Sequence, residues 1–82
     1  MITTAEAAKR ARHHQRLAPV GSNERKAAGI AAVLLAEART HTGARRLLDR
    51  HPIPEPLRSA VVALLADLAA LPESTPEPPP AP

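Results

Sequence analysis

Hydrophobic and polar positions divide the chain into an amphipathic first segment, two apolar segments and a proline-rich end. The longest apolar run, residues 27–36, has no polar side chain on any face of the helix that it predicts. A helix that is apolar all round must be covered all round. In so short a chain the cover can come only from the neighbouring helices or from a second copy.

Capping residues predict the first two helices. Thr3 begins a capping box, so a first helix over residues 4–17 is expected. Ser22 or Asn23 can cap a second helix over 23–42.

The second half of the chain predicts two further helices. Gly43 occupies the expected left-handed cap position of the second helix, and a two-turn helix over 44–50 follows it. A fourth helix over 55–71 begins in a proline-rich connector and ends before Pro72. The pattern predicts an all-α fold, a small three- to four-helix bundle over residues 1–71, with a disordered, acidic, proline-rich tail over 72–82.

The first helix combines a poor apolar side with a basic side. Ala7, Ala11 and Ala18 share a narrow strip with His14. We therefore expect this helix to dock weakly. Within the second helix, Gly29 costs ~1 kcal/mol relative to alanine, which indicates close approach by another helix.

Composition limits the size of the core. Alanine supplies half of the hydrophobic residues, and the chain contains no Phe, Trp, Tyr or Cys. Without disulfides, a domain of this size gains little net stability from its own core. A homo-oligomer, most simply a dimer, or a helical protein partner is the leading expectation.

The fourth helix carries a coiled-coil-like spacing of large apolar residues, and together with the second helix it offers more apolar surface than the remaining helices can cover. We expect these two helices to form an interaction seam and the protein to act as a small non-catalytic interaction module. The predicted seam residues are Ile30, Val33, Leu34, Leu57, Val61, Leu64, Leu68 and Leu71.

Charge suggests an alternative function. Residues 1–51 carry a net charge of +6, whereas residues 52–82 carry −3. A basic first half fits a small DNA-associated protein or transcriptional regulator. A helix-turn-helix formed by the second and third helices is less favoured than an ordinary helical hairpin, because the third helix is short. The candidate phosphate contacts are Lys9, Arg12, Arg16, Arg45, Arg46 and Arg50.

The sequence offers no catalytic, cofactor-binding or metal-binding pattern. Its serines and threonines cluster at caps, its acids are widely separated, and its glycines form no phosphate-binding loop. The four histidines lack metal-ligand spacing and are expected at the surface. We therefore expect neither an enzyme nor a small-molecule substrate. The apolar runs are too short to span a bilayer, and no signal peptide is evident, so a cytoplasmic protein is the default expectation.

Overall fold

The structure is a computed structural model that describes residues 2–71. These residues form four helices, α1 (Thr4–Leu17), α2 (Asn23–Glu37), α3 (His41–Asp49) and α4 (Leu57–Ala70). The described part of the chain contains no strand. The predicted all-α class is confirmed. The tail predicted over residues 72–82 lies outside the described residues.

Side-chain caps begin α1 and α2 where the sequence predicts them. The Thr3 hydroxyl accepts a hydrogen bond from the Glu6 N–H at 3.1 Å, and the Ser22 hydroxyl accepts one from the Arg25 N–H at 3.1 Å. Each bond satisfies a backbone donor that has no partner within the helix. Between the two helices the chain reverses through Gly21, whose φ of +80° favours glycine.

The predicted boundary between the second and third helices is wrong. α2 ends at Glu37, five residues earlier than expected, and α3 begins at His41. The Thr40 hydroxyl accepts a hydrogen bond from the Gly43 N–H at 2.9 Å and so caps the start of α3. Gly43 consequently lies inside α3, and its φ is not positive. The sequence signal for this boundary is Thr40, which lies three residues before Gly43 and can therefore cap its N–H.

The fourth helix is shorter than predicted at both ends. It begins at Leu57 rather than at position 55, because the residue before a proline is disfavoured in helical conformation and Pro56 follows Glu55. The same rule applies at the other end. Leu71 precedes Pro72 and is extended, with ψ of 137°.

α1 and α2 form a closely packed antiparallel hairpin. Their interface is built from small side chains, since Ala7, Ala8 and Ala11 on α1 are all buried. Alanines allow two helix backbones to approach closely. The poor apolar side of α1 therefore still packs closely against α2, and the expected weakness of this docking stays a prediction.

α4 packs against the other side of the buried face of α2, and α3 contacts both helices. Apart from Ile2, the large side chains of the core come from these three helices. Fully buried examples are Leu35, Leu48, Val61 and Leu68. The buried residues of the described chain are all hydrophobic. The resulting core has alanine on the α1 side of α2 and branched aliphatic residues on the α4 side.

Candidate interaction groove

An open, apolar groove runs along the outward face of α2. It encloses about 710 Å³. Val33 lies in it and is 55% exposed. The residues that line it are Gln15, Lys26, Gly29, Ile30, Val33, Leu34, His51, Ile53 and Leu57. We call this feature the α2 groove.

The α2 groove has two different walls. On one side the Gln15 side chain of α1 lies over Gly29, where an added Cβ would come within 2.9 Å of the Gln15 Nε2 atom. This is the close approach that Gly29 predicts, although a flexible side chain makes it rather than a helix backbone. On the other side Ile53 and Leu57 form the wall where the chain enters α4. Among the residues that line the groove, Lys26 carries the charge.

The structure divides the predicted seam between two environments. Leu34, Val61 and Leu68 are buried in the chain's own core. Leu34 nevertheless borders the α2 groove, whereas Val61 and Leu68 have almost no exposed surface for a partner, so the assignment of these two to an intermolecular seam is wrong. By contrast Ile30, Val33 and Leu57 line the α2 groove.

The remaining seam residues lie outside the groove. Leu71 is half-buried at the end of α4. Leu64 is also half-buried and lines a smaller cavity of about 430 Å³. Leu65, and not Leu64, is the residue of this turn of α4 that is buried in the core. Val61, Leu65 and Leu68 therefore form the buried face of α4, spaced by 4 and 3 positions.

The basic residues of α1 lie at the surface. Lys9, Arg12 and Arg16 are exposed and lie on one side of the helix, opposite the buried alanines. None of the three forms an ion pair with another residue of the described range 2–71. By comparison, Arg10 on the same helix pairs with Glu6 at 3.8 Å.

The basic residues of α3 are partly neutralised. Arg45 lies 3.8 Å from the Asp49 carboxylate, and Arg58 of α4 donates a hydrogen bond of 2.8 Å to the same carboxylate. The hydrogen bond from Arg58 lowers the pKa of Asp49 below its usual value of 3.8, and the positive charge of Arg45 adds to the effect. Arg46 and Arg50 are exposed, and neither forms an ion pair within residues 2–71.

His41 differs from the other histidines. The expectation of four surface histidines is wrong for this residue, which is half-buried at the start of α3. Its Nε2–H donates to the backbone carbonyl of Ile2, with 2.8 Å between nitrogen and oxygen. The Nδ1 atom is buried and has no hydrogen-bond partner among the described residues. His41 therefore holds the buried Ile2 segment against α3.

No group of three or more histidine or acidic side chains within residues 2–71 is arranged to hold a metal ion. None of the four described helices is long and apolar enough to cross a membrane.

The fold and the groove define a small all-α protein with an exposed apolar surface on one helix. Comparison with protein-family models, with curated proteins and with solved structures found no match.

Proposed function

We propose that this chain is a small non-catalytic protein-interaction module that binds a helical polypeptide in the α2 groove and associates with itself. The observation that carries the proposal is the exposure of Val33 in an open groove lined mainly by aliphatic side chains. Exposed apolar surface of this kind is typical of protein contact sites. Amphipathic helices commonly bind in such grooves through apolar residues on one face.

The core gives the proposal a second support. Its α1 side consists of alanines, whose burial removes little apolar area from water. A folded domain of this size gains stability when a partner covers additional apolar surface. Self-association is the simplest way to provide that cover.

The solution mass tests this proposal. Light scattering should give a mass that rises from 8.7 kDa towards twice that value as the protein concentration increases. The chain has no Trp or Tyr, so its concentration is best measured by refractive index. Val33→Glu places a charge in the groove and should keep the protein monomeric. Val20→Glu is the matched control, because Val20 is 88% exposed in the loop before α2, outside the groove.

One outcome would contradict self-association, and another would contradict the α2 groove as its contact surface. One is a mass of 8.7 kDa at every concentration up to about 1 mM. The other is equal dissociation by Val33→Glu and Val20→Glu, which would mean that the contact surface lies elsewhere.

A second candidate function is supported by the exposed basic side of α1. Lys9, Arg12 and Arg16 are available to phosphates, since none is paired within residues 2–71. Binding of duplex DNA through three phosphates should weaken with salt with a slope near −2.7 in log K against log salt concentration, about −0.9 for each phosphate.

The DNA-binding candidate has its own variants. Arg12→Glu should weaken DNA binding strongly. Arg10→Glu changes the net charge of the protein by the same amount, but it should weaken binding less, because Arg10 is already paired with Glu6 on another side of α1. Absence of duplex binding at about 20 mM salt would eliminate the candidate. Equal loss from both variants would indicate a response to net charge alone.

A further inference from the structure

We infer that the occupant of the α2 groove is α2 of a second copy, antiparallel to the first, with Lys26 of each protomer against the partner's Glu37. This inference rests on the proposed self-association and adds the orientation, the register and the paired residues. The argument comes from the order of side chains along the outward face of α2.

The outward face of α2 carries an ordered stripe of four residues. Lys26, Ile30, Val33 and Glu37 are spaced by 4, 3 and 4 positions. At 100° per residue they fall within an arc of about 60° on one side of the helix. Lys26, Val33 and Glu37 are exposed, and Ile30 is half-buried. The stripe is therefore a narrow apolar centre with a base at one end and an acid at the other.

The spacing of the four stripe residues is the same when it is read from either end of α2. The midpoint between residues 31 and 32 is equally far from Lys26 and Glu37, and equally far from Ile30 and Val33. A two-fold axis through that midpoint, perpendicular to α2, therefore places Ile30 against the partner's Val33. It also places Lys26 against the partner's Glu37, and each contact occurs twice. A parallel arrangement would instead bring like charges together at both ends.

Both end residues are available for this pairing. Neither Lys26 nor Glu37 forms an ion pair with another residue in the range 2–71. In the dimer the apolar centre of the partner's α2 would contact the aliphatic wall formed by Ile53 and Leu57. The positions of Lys26 and Glu37 at opposite ends of the stripe thus favour a second copy of this chain as the occupant of the groove.

The length of the stripe limits the strength of the dimer. From Lys26 to Glu37 α2 rises about 16 Å at 1.5 Å per residue. A contact of this length buries less than the roughly 1,200–2,000 Å² of stable complexes. We expect a reversible dimer whose population depends on protein concentration.

Charge reversal tests the register. Lys26→Glu replaces two attractive contacts in the dimer with two repulsive ones and should raise the dimer dissociation constant about tenfold at low salt. Glu37→Lys should have a similar effect. The double variant Lys26→Glu/Glu37→Lys restores both opposite-charge contacts, and its dissociation constant should return to within about threefold of the original. Lys9→Glu is the control, because it makes the same charge change on α1.

Zero-length cross-linking tests the contact directly. A carbodiimide joins an amine to a carboxylate only where the two groups touch. Within one protomer Lys26 and Glu37 are separated by about 16 Å along a rigid helix, more than their side chains span. A Lys26–Glu37 amide found by mass spectrometry in covalent dimers, including mixed dimers of ¹⁵N-labelled and unlabelled chains, would therefore join two protomers.

The two sets of experiments fail in different ways. A protein that remains monomeric at about 1 mM contradicts both the proposed self-association and this arrangement. A different result would overturn the antiparallel arrangement alone. In that case Val33→Glu dissociates the dimer, but the double variant does not restore the dissociation constant and no Lys26–Glu37 amide forms. Recovery in the double variant together with the inter-chain amide supports the antiparallel arrangement.

Discussion

The inward and outward faces of α2 consist of similar residues but have different surroundings. On the inward face Ala31 and Leu35 are almost fully buried between neighbouring helices. On the outward face Val33 is more than half exposed, beside Ile30 in the groove. The apolar run alone does not distinguish the two faces. The difference shows that, within residues 2–71, the neighbouring helices cover one side of α2 and leave the other side exposed.

Truncating a large side chain on the inward face should have the largest effect. Leu35 is 1% exposed, so Leu35→Ala should lower the free energy of unfolding by about 2–5 kcal/mol. In a domain of marginal stability such a loss can unfold the chain. Leu64→Ala serves for comparison and should cost about half as much, because Leu64 is only half-buried. Equal effects in urea unfolding would contradict the assigned face of α4.

Enlarging a small side chain tests the close packing of the alanines. Ala31→Leu adds volume at a position with no exposed surface and should destabilise the fold by about 1–3 kcal/mol. Ala36→Leu makes the same change at an exposed position of α2 and should have little effect. Thermal unfolding followed by circular dichroism would compare the two. Similar melting temperatures would mean that the inward face has spare volume.

Gly29 lies at the boundary between the two faces. Gly29→Ala should stabilise α2 by up to ~1 kcal/mol, provided that the Gln15 side chain moves away from the new Cβ. A gain is expected because the obstructing atom, Nε2, is at the end of a flexible side chain. Loss of stability in Gly29→Ala, recovered in Gly29→Ala/Gln15→Ala, would show instead that Gln15 is held in place.

A charge on the outward face should leave the folded monomer nearly unchanged. At low concentration, where the protein is monomeric, Val33→Glu should change the free energy of unfolding by less than about 0.5 kcal/mol, as is usual for an exposed position. Urea unfolding measures this change. A large loss of stability would contradict the exposure of Val33 and would make Val33→Glu unsuitable as a test of association.

The ion pair between α3 and α4 should give the smallest effect. The lowered pKa of Asp49 means that its contacts with Arg58 and Arg45 add stability above the usual pKa of 3.8. This contribution is lost as the pH falls through the lower value of the folded state. Asp49→Asn should therefore reduce stability slightly at neutral pH, and the difference from the original protein should disappear in acid. A difference that is constant with pH would contradict the pairing.

The sequence predicts local features of the fold more reliably than tertiary features. Thr3 and Ser22 predict where α1 and α2 begin, since a cap depends on a few neighbouring residues. The capping threonine before α3 was overlooked in favour of Gly43, because a glycine after an apolar run also fits a helix end. The close contact between α1 and α2 is a tertiary feature that the sequence does not predict, because apolar area alone does not report how closely two alanine faces can approach.

The candidate site shows the same division. Ile30, Val33 and Leu57 were included in the predicted seam and line the groove. Leu34 also borders the groove but is almost fully buried, and Val61 and Leu68 are buried within the chain's own core. Periodicity identifies an apolar face but not which helix covers it. The contributions of Ile53 and Gln15 depend on the path of the connector and on the hairpin geometry, which the apolar pattern does not encode.

The most direct test of the account is a methyl NMR spectrum of isoleucine-labelled protein recorded over a range of concentrations. The chain has three isoleucines: Ile30 and Ile53 line the α2 groove, whereas Ile2 is buried in the core beside α3. If the groove is the contact surface, the Ile30 and Ile53 methyl signals should shift with concentration while the Ile2 signal remains fixed, and Val33→Glu should abolish the shifts. Concentration-independent positions for all three signals, or a shift of Ile2 alone, would contradict the account.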